Sequence, residues 1–411
     1  MSADSGPSRA RRLTVPERRD LNGSARRKAG GDVRRGGVVA TLSFYSYDHV
    51  GNPWCGGGGA LRDVEILRRF RPAWDRITVY VGDYPGFVAH ERDGVCYESL
   101  GGGRSEPVSR VSYALHANLR VLFERADVVG NDVSVYAPLL AGLLRPGRFF
   151  GIVHHRIGKR YLERFGWWGW LPWAVERLLH AGLRNVVTVN GAVREAIRQV
   201  NPRARLFDSA NGFDPALLEL TPSVAEPPFV LFLGRLDPFM KGLDVLVEAF
   251  AGAVAGHPDV RLVLAGRGAP HAVAELERRA RAAGAAARVE VRPNVEEAEK
   301  RRLLASCLFF CSPSRFEGFG IAALEANAAG KAVLATDTDG FRESLDPGKT
   351  ALLVPPGDVP ALRGALARLL DEPELRRTLE ANARPWARRF TWDAIAEREL
   401  AWVRKTFLTS C

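Results

Sequence analysis

Two carboxylates eight residues apart flank a glycine-rich turn, and their types and spacing suit a ligand rich in hydroxyl groups. Glu317 and Glu325 occur in the stretch Ser312–Ala326, together with Gly318 and Gly320. This spacing is roughly two helical turns at 3.6 residues per turn, so both carboxylates can face one cleft. The glycines let a phosphate approach the backbone, and the N–H groups that open the following helix would point at it. The turn therefore predicts a site for a ligand that carries phosphates and hydroxyls.

Two cations could complete such a site. Arg235 follows the predicted strand Phe229–Gly234, and Lys241 precedes the predicted helix Leu243–Phe250. Two cations beside a helix N-terminus would hold a diphosphate. Taken alone, the pair could equally be solvated surface charges. Cations at one strand end and carboxylates at another match a single ligand, which favours the binding interpretation.

Glycines and histidines in the first half of the chain are further candidates. Four consecutive glycines in Cys55–Ala60 lie between a predicted strand and the amphipathic helix Leu61–Phe70. Strand, glycine loop and helix is a phosphate-binding arrangement, although a flexible loop is an equal alternative. His154 and His155 end the predicted strand Phe149–His155, where parallel sheets bind ligands. At least one of the two is expected to be a structural histidine.

Strands alternate with helices through both halves of the chain, which predicts an α/β protein with two doubly wound, Rossmann-like parallel-sheet domains facing a cleft. The predicted strands are Val38–Phe44, Ile77–Val81, Ala126–Val129, Phe149–His155, Asn185–Asn190, Phe229–Gly234, Val260–Ala265, 288–292, 307–311 and Ala332–Thr336. The predicted helices are Leu61–Phe70, Ala174–Ala181, Leu243–Phe250, 272–283, 296–305 and Ile321–Ala329. The carboxyl ends of the strands should line the cleft.

The length of 411 residues also favours two domains over one core. We expect a disordered basic head at 1–36, an N-terminal domain at 37–215, a linker at 216–228 and a C-terminal domain at 229–389. The head holds ten Arg or Lys against four Asp or Glu, and so carries +6 of the net charge of +11. It lacks the apolar segment of a secretory signal. Because the excess charge lies mostly in this head, without a nucleic-acid module, we expect no nucleic-acid partner.

Composition predicts a cytoplasmic protein. The chain is 46% hydrophobic and 26% charged, and it has no apolar run long enough to span a bilayer. Five cysteines, an odd number without paired metal-ligand spacing, fit a reducing compartment.

Four tryptophans crowd one short stretch: Trp167, Trp168, Trp170 and Trp173. Tryptophan favours the membrane–water interface, so the stretch could mark a membrane-surface contact, which would make the protein peripheral at the inner face. An aromatic patch that packs the N-terminal domain is an equal alternative.

Taken together, the motifs resemble those of the retaining GT-B glycosyltransferases of family 4, glycosyl transferase group 1. The matching segments are Gly58–Arg62, Val153–His154, Asn211–Asp214, Gly234–Leu236 with Lys241–Gly242, Pro313–Ser314 with Glu317–Gly320 and Glu325–Ala326, and Asp339–Glu343. The last segment departs from the family pattern at Asp339, where glycine is usual. The resemblance spans roughly residues 37–404, and its C-terminal motifs are specific as a set.

The resemblance implies a role for each candidate. Arg235 and Lys241 would bind the donor diphosphate and stabilise the leaving group, and Glu317 would bond the sugar hydroxyls. Glu325 would take the ribose hydroxyls, and His154 would line the sugar site. The remaining donor contacts would come from Gly58, Gly59, Gly234, Gly318, Phe319, Gly320 and Ile321, with Arg267 and Asn294 near the base. Residues 390–411 would form a helix that crosses back to the N-terminal domain.

The implied reaction transfers a sugar from a nucleotide-sugar donor to a hydroxyl acceptor with retention of configuration. We expect no metal and no cofactor, since Arg235 and Lys241 would replace a metal. Asp337-Thr338-Asp339 imitates a metal-binding Asp-x-Asp motif, and we interpret it as a strand-end turn.

The sequence is also compatible with other functions. A sugar phosphorylase or a nucleotide-sugar epimerase would share the two-domain cleft, and a non-catalytic relative would be expected to lack the cations and carboxylates. The acceptor is undetermined: the aromatic loops suit a lipid-linked acceptor, a polysaccharide or a hydrophobic small molecule.

Overall fold

The computed structural model describes residues 40–136, 138–154 and 166–408. The predicted head at 1–36, the start of the first predicted strand and His155 lie outside the described residues. Within them, the α/β class and the two sheets predicted from the sequence are confirmed.

The first half of the chain forms an eight-stranded sheet whose order is β3-β4-β2-β1-β5-β6-β7-β8. Its strands are β1 Thr41–Tyr45, β2 Arg76–Gly82, β3 His90–Arg92, β4 Val95–Leu100, β5 Val128–Asp132, β6 Phe149–Val153, β7 Asn185–Thr188 and β8 Arg205–Asp208. Every pairing is parallel except that of β3 with β4. The chain order reverses between β1 and β5, and the loops after those two strands diverge at that point.

The second half forms a six-stranded, fully parallel sheet in the order β11-β10-β9-β12-β13-β14. Its strands are β9 Phe229–Leu233, β10 Arg261–Gly266, β11 Val289–Pro293, β12 Phe309–Ser312, β13 Val333–Thr336 and β14 Ala351–Val354. All five residues of β9 are buried, as a central parallel strand covered on both faces requires. The order reverses between β9 and β12, so this crevice is where a ligand is expected.

Helices follow most strands and cover the sheets. They are Gly58–Phe70, Glu106–Leu122, Leu139–Leu144, Trp170–Gly182, Gly191–Val200, Leu243–Ala253, Pro270–Ala282, Glu297–Ser306, Ile321–Ala328, Asp339–Ser344, Val359–Asp371, Pro373–Ala387 and Trp392–Phe407. Short 3₁₀ turns lie at Arg71–Ala73, Gly166–Gly169, Pro215–Glu219, Val254–Gly256 and Arg388–Phe390.

The structure corrects two local predictions. Gly58 and Gly59, predicted in a loop, form the first turn of the helix that ends at Phe70. The turn predicted at Asp337-Thr338-Asp339 ends at the first residue of a helix, which begins at Asp339. Both differences lie at the start of a helix, where residues of weak helix propensity make the boundary hard to place from the sequence.

Two further elements were not predicted from the sequence: the hairpin of β3 and β4, and the helix Glu106–Leu122. The β3 residues His90, Glu91 and Arg92 are all exposed, so they lack the alternating apolar pattern that marks a strand.

The last helix returns to the first sheet. Trp392, Ile395 and Val403 are buried in the same apolar cluster as Phe150 of β6. The backbone at Phe213 lies beside this return crossing: its N–H donates to Phe390 O (3.1 Å), and its carbonyl accepts from Trp392 N (3.2 Å). The domain boundaries drawn from the sequence stay predictions.

Candidate functional site

A cleft of about 1170 Å³ lies where the carboxyl ends of the two sheets meet. Most of the candidate residues line it, from both halves of the chain: Gly58, Gly59, His154, Gly234, Arg235, Lys241, Glu317, Gly318, Phe319, Gly320 and Ile321. The structure thus brings together residues that are distant in sequence.

The turn after β12 requires glycine at Gly320. Its φ is +84°, a left-handed conformation, and a Cβ there would lie 2.6 Å from the Phe341 ring. Gly320 is the N-cap of the helix Ile321–Ala328, whose first residues face the cleft. The first N–H groups of a helix have no partner within it, so they are available to an anion.

Lys241 and Glu317 are brought into direct contact. Lys241 Nζ donates to Glu317 Oε2 at 2.8 Å, and the Ser314 hydroxyl lies 3.4 Å from the same oxygen. The pair joins the loop after β9 to the loop after β12, the two strands between which the sheet order reverses.

Gly242 lets these two loops approach each other. Its φ is +63°, and a Cβ there would lie 2.0 Å from the Pro313 carbonyl oxygen. A side chain at this position would therefore push Lys241 away from Glu317. Arg235, on the same side of the cleft, is exposed and forms part of its wall.

Glu325 lies outside the wall of this cleft. Its side chain is buried in the helix Ile321–Ala328, and Oε1 accepts from Lys300 Nζ at 3.0 Å. Burial raises the pKa of the Glu325 carboxyl, and the neighbouring Lys300 opposes that shift.

Arg267 and Asn294 also lie outside the cleft wall. They follow β10 and β11, and the Asn294 side-chain oxygen accepts from Gly268 N at 3.3 Å, which holds the two loops together. Arg267 Nη1 donates to the carbonyl of Gly56 at 3.3 Å, so it connects the two halves of the chain.

The N-terminal wall contains an acidic cluster around His154. His154 Nε2 lies 3.4 Å from Asp132 Oδ1, and a Cβ on Gly59 would lie 3.5 Å from that nitrogen. Burial raises the pKa of Asp63 to about 7, although Arg62 opposes it, and burial with nearby Asp63 and Asp48 raises the pKa of Asp132 well above its usual range.

Sequence reasoning missed both carboxylates of this cluster. Asp132 ends a strand beside a reversal in sheet order, and its position there was the signal that could have found it. One ligand atom each from Asp63, Asp132 and His154 lie within 4.8 Å of one another, which is close enough to share a cation. The expectation that no metal is needed stays a prediction.

The same wall holds a sandwiched arginine that was also missed. The Arg110 guanidinium lies 5.1 Å from the centre of the Tyr47 ring and 5.0 Å from that of Tyr136. All three residues line the cleft and supply a cationic and aromatic surface opposite the Lys241 side.

Direct contacts across the cleft involve Asn190. Its side-chain nitrogen donates to Gly318 O at 2.8 Å, and its side-chain oxygen accepts from Val193 N, also at 2.8 Å. One amide thus caps the helix Gly191–Val200 and anchors the glycine turn. Nearby, Gly191 N donates to Glu343 Oε2 at 3.3 Å.

The tryptophans do not form a buried packing patch. Trp167, Trp168 and Trp170 are between 51% and 67% exposed, and the rings of Trp167 and Trp168 stack with centres 3.9 Å apart. Trp168 also borders the cleft. Across the described residues, no helix has the length and apolar character needed to cross a bilayer.

Comparison with known proteins locates the family signal in the second half. Residues 219–386 match the sequence model of the glycosyl transferases group 1. A phosphatidyl-myo-inositol mannosyltransferase of Mycobacterium leprae is 36% identical over 205 residues, which is 49% of this chain and 53% of that protein. A D-inositol 3-phosphate glycosyltransferase of Kribbella flavida is 34% identical over 227 residues, 53% of this chain and 52% of that protein. The chain thus spans about half the length of the curated relatives it matches.

Solved structures resemble nearly the whole chain. Sucrose-phosphate synthase from Thermosynechococcus elongatus has a TM-score of 0.74 at 21% identity and covers 90% of this chain and 100% of its own. Anabaena HepE in complex with UDP and glucose has a TM-score of 0.70 at 19% identity, covering 89% and 100%. At these identities the likeness establishes the fold. The chain therefore has the GT-B fold, and its residues 219–386 resemble the glycosyl transferases group 1.

Proposed function

We propose that this protein is a glycosyltransferase that moves a sugar from a nucleotide-diphosphate donor to a hydroxyl acceptor, with retention and without a metal. The observation that carries the proposal is the contact of Lys241 with Glu317 beside the open N-terminus of the helix Ile321–Ala328. A cation, a carboxylate and free N–H groups at one crevice suit a ligand with a diphosphate and a sugar.

The cations would act mainly on the leaving group. As the glycosidic bond breaks, negative charge develops on the departing diphosphate, and fixed positive groups then bind it more strongly than in the ground state. We propose that Lys241 and Arg235 supply these positive groups, and that the helix N-terminus adds its partial positive charge. Donor binding would replace the contact between Lys241 and Glu317, which frees the carboxylate to accept from sugar hydroxyls.

Glu325 would bind the ribose hydroxyls with only one of its oxygens, because the other already accepts a hydrogen bond from Lys300. A buried, ion-paired carboxylate keeps a fixed position and can still accept on its second oxygen. Arg267 and Asn294, at neighbouring strand ends, would then lie towards the base.

Retention requires the acceptor to attack the face from which the diphosphate leaves. The bond between the anomeric carbon and the diphosphate oxygen breaks, the acceptor oxygen bonds to that carbon, and the acceptor proton passes to the departing phosphate oxygen. No separate base is then needed. The proposal does not depend on the Asp-x-Asp segment, where Asp337 pairs with Arg342 (2.6 Å) and that guanidinium lowers the pKa of Asp337.

The relatives and the opposite wall of the cleft support one class of acceptor. Relatives named for inositol phosphate and phosphatidyl-myo-inositol support a polyol acceptor. The half-buried carboxyl group of Asp132 and the guanidinium of Arg110 both line the cleft, and they offer an acceptor for hydroxyls and a partner for a phosphate. We therefore propose an inositol-type headgroup, free or lipid-linked, as the acceptor.

A thermal-shift panel tests the donor first. UDP-, GDP-, ADP- and TDP-sugars are compared, because a ligand that binds the folded state raises its melting temperature. The donor that stabilises the protein is then incubated with myo-inositol phosphate or phosphatidylinositol, with EDTA present, and the anomeric configuration of the product is read by NMR.

Each part of the proposal fails on its own result. If no nucleotide sugar raises the melting temperature, the proposed donor site is wrong. If activity is lost in EDTA, the proposal that the reaction needs no metal is wrong. Donor cleavage that requires inorganic phosphate, or sugar interconversion without transfer, would show a phosphorylase or an epimerase instead.

A further inference from the structure

The helix Glu106–Leu122 is apolar on two opposite faces. Ser109, Tyr113, Ala117 and Val121 face the protein and are buried. On the other side, Val108, Val111, Leu115, Leu119 and Leu122 are between 45% and 62% exposed. Their spacing of three and four residues places them in one stripe along the helix. A contiguous exposed apolar patch commonly marks a site of interaction with a protein or a membrane, so a second surface is expected to cover this stripe.

The stripe continues onto two neighbouring helices. Leu140 N donates to Asn118 Oδ1 at 3.2 Å, which joins the helix Leu139–Leu144 to the helix Glu106–Leu122. A Cβ on Gly142 would lie 3.1 Å from Gly182 O, so this short helix also touches the helix Trp170–Gly182. The exposed apolar residues that these two helices and the adjoining turn add are Leu140, Leu143, Leu144, Trp167, Trp168, Trp170, Leu171 and Leu178. We call the three-helix surface the apolar face.

Positive charge surrounds the apolar face. Within 104–125, 139–148 and 170–184 the exposed arginines are Arg104, Arg125, Arg148, Arg177 and Arg184. Of the three carboxylates in those segments, Glu124 and Glu176 are buried and Glu106 pairs with Arg110. Arg145 and Arg148 line one open surface groove together with Leu122 and Leu144, so cation and apolar side chain lie side by side.

The geometry points to this apolar face as a docking surface for an anionic lipid bilayer. Exposed leucine and tryptophan side chains enter the region between headgroups and acyl chains, and a rim of arginines binds anionic headgroups. A second copy of the chain fits less well. A twofold dimer through this face would set the same patch against itself and bring the arginine rims together.

The position of the apolar face suits a lipid-linked acceptor. Two of these helices also line the N-terminal wall of the cleft. Arg110 of the helix Glu106–Leu122 lies there, as do Pro172 and Leu179 of the helix Trp170–Gly182. Trp168 belongs to both surfaces. Docking would therefore place the mouth of the cleft beside the headgroups. This inference concerns binding alone, so it can fail while the proposed transfer reaction holds.

Vesicle sedimentation of the full chain tests the inference. The wild-type protein is mixed with vesicles of phosphatidylcholine and phosphatidylglycerol, and separately with phosphatidylcholine alone. We expect binding to the anionic vesicles that weakens with added salt, because exposed charge interactions are screened. The variant Leu115→Glu/Leu119→Glu should bind about tenfold or more weakly, since it removes apolar burial and adds charge of the wrong sign.

A matched control keeps the test specific. Val224 is 51% exposed in the segment hydrogen-bonded to Ala305 and Ser306 of the C-terminal half, away from the apolar face. Val224→Glu should bind vesicles as the wild type does. The exchanged side chains are exposed, so the folded state is checked by melting temperature, and Leu115→Gln/Leu119→Gln provides an uncharged version.

Two results overturn the inference. One is wild-type protein that stays in the supernatant with anionic vesicles, or that binds no better than the Leu115→Glu/Leu119→Glu variant. The other is a wild-type dimer in light scattering that this variant converts to a monomer, without vesicle binding, which would assign the apolar face to a second copy.

Discussion

The two halves of this molecule treat their charged residues in opposite ways. In the C-terminal half the site carboxylates are matched: Glu317 contacts Lys241 at 2.8 Å, and Glu325 contacts Lys300 at 3.0 Å. In the N-terminal half the buried Asp63 and the half-buried Asp132 lie close together, and loss of solvation raises the pKa of both. The carboxylates of the C-terminal half thus lie in ion pairs, whereas those of the N-terminal cluster have raised pKa values.

This difference indicates which ligand groups the C-terminal and N-terminal walls of the cleft can bind. An ion pair can open and give its cation to a phosphate and its carboxylate to hydroxyls, at little electrostatic cost. Of the two aspartates in the N-terminal cluster, Asp132 lines the cleft, and a carboxyl group with a raised pKa can donate as well as accept hydrogen bonds, which suits a neutral polyol. The comparison therefore agrees with a charged donor on one wall and an uncharged hydroxyl group on the other.

The largest effect is expected from Lys241→Ala. Loss of the preorganised ammonium group should lower the turnover of the nucleotide-sugar donor by about 10²-fold or more. This corresponds to roughly 2.7 kcal/mol of transition-state stabilisation. Donor consumption is the measurement. The control is Lys349→Ala, whose side chain is exposed and pairs with Asp346 at 3.3 Å, and which should leave turnover unchanged. Equal turnover in the two variants would remove Lys241 from the site.

Gly320→Ala should destabilise the C-terminal half more than Gly348→Ala does. Both glycines have a left-handed φ, +84° and +80°, so each substitution carries a similar backbone strain of about 1–2 kcal/mol. Only at Gly320 does the added Cβ meet a ring, at 2.6 Å, while Gly348 has open space. Overpacking should add about 1–3 kcal/mol, seen as a lower melting temperature. Matching melting temperatures would contradict the close packing of this turn.

Glu317→Gln should lower donor turnover by about tenfold, because a hydrogen bond from a sugar hydroxyl to a neutral amide is weaker than one to a carboxylate. The same change releases Lys241, so the Michaelis constant for the donor should fall or stay constant while the turnover number drops. Glu275→Gln, on the exposed side of the helix Pro270–Ala282, is the matched control. Wild-type donor consumption by Glu317→Gln would exclude Glu317 from sugar recognition.

Asp63→Asn tests the other wall and should have the smallest effect at any single pH. The pKa of Asp63 is raised to about 7 in the folded protein, so the folded state binds more protons than the unfolded state between about pH 4 and 7. Wild-type stability should therefore fall as the pH rises through this range, by at most about 1.4 kcal/mol per pH unit from this group.

The measurement for Asp63→Asn is the melting temperature from pH 5 to 8, in roughly unit steps. The variant should show a shallower decline, and the pKa of Asp132 should also move down once the neighbouring charge is gone. As a control, Asp358→Asn makes the same exchange at a half-buried helix cap in the C-terminal half, at the start of the helix Val359–Asp371. A wild-type slope in Asp63→Asn would show that Asp63 is ionised in the folded state at these pH values.

The wall that contains Lys241 and Glu317 was predicted from the sequence better than the N-terminal wall, for a physical reason. Lys241, Glu317 and Gly320 each sit at a strand end within a short motif, so type and spacing alone indicate their chemistry. The alternating strands and helices likewise predicted the α/β class, because period and length are local properties. Ligand roles for these residues stay predictions until the experiments above are done.

What the sequence did not reveal depends on contacts between distant segments. Asp63 and Asp132 form a cluster only because β1 and β5 are neighbours, and Lys300 reaches Glu325 from a separate helix. The helix Glu106–Leu122 would also have been ambiguous in a pattern analysis. Val111, Leu115 and Leu119 are exposed, whereas Ser109, Tyr113, Ala117 and Val121 are buried. Both stripes carry large apolar side chains, so the pattern alone does not tell which one faces the sheet.

The return of the helix Trp392–Phe407 to the first sheet has a consequence for biosynthesis. Trp392 and Val403 complete the apolar core around β6, yet they follow the whole of the second sheet in the chain. Chains fold domain by domain from the N-terminus as they are made. Here the first half emerges first but cannot close its core until the last helix has left the ribosome. The second half, whose sheet ends at Val354, has all its strands before then and should finish folding earlier.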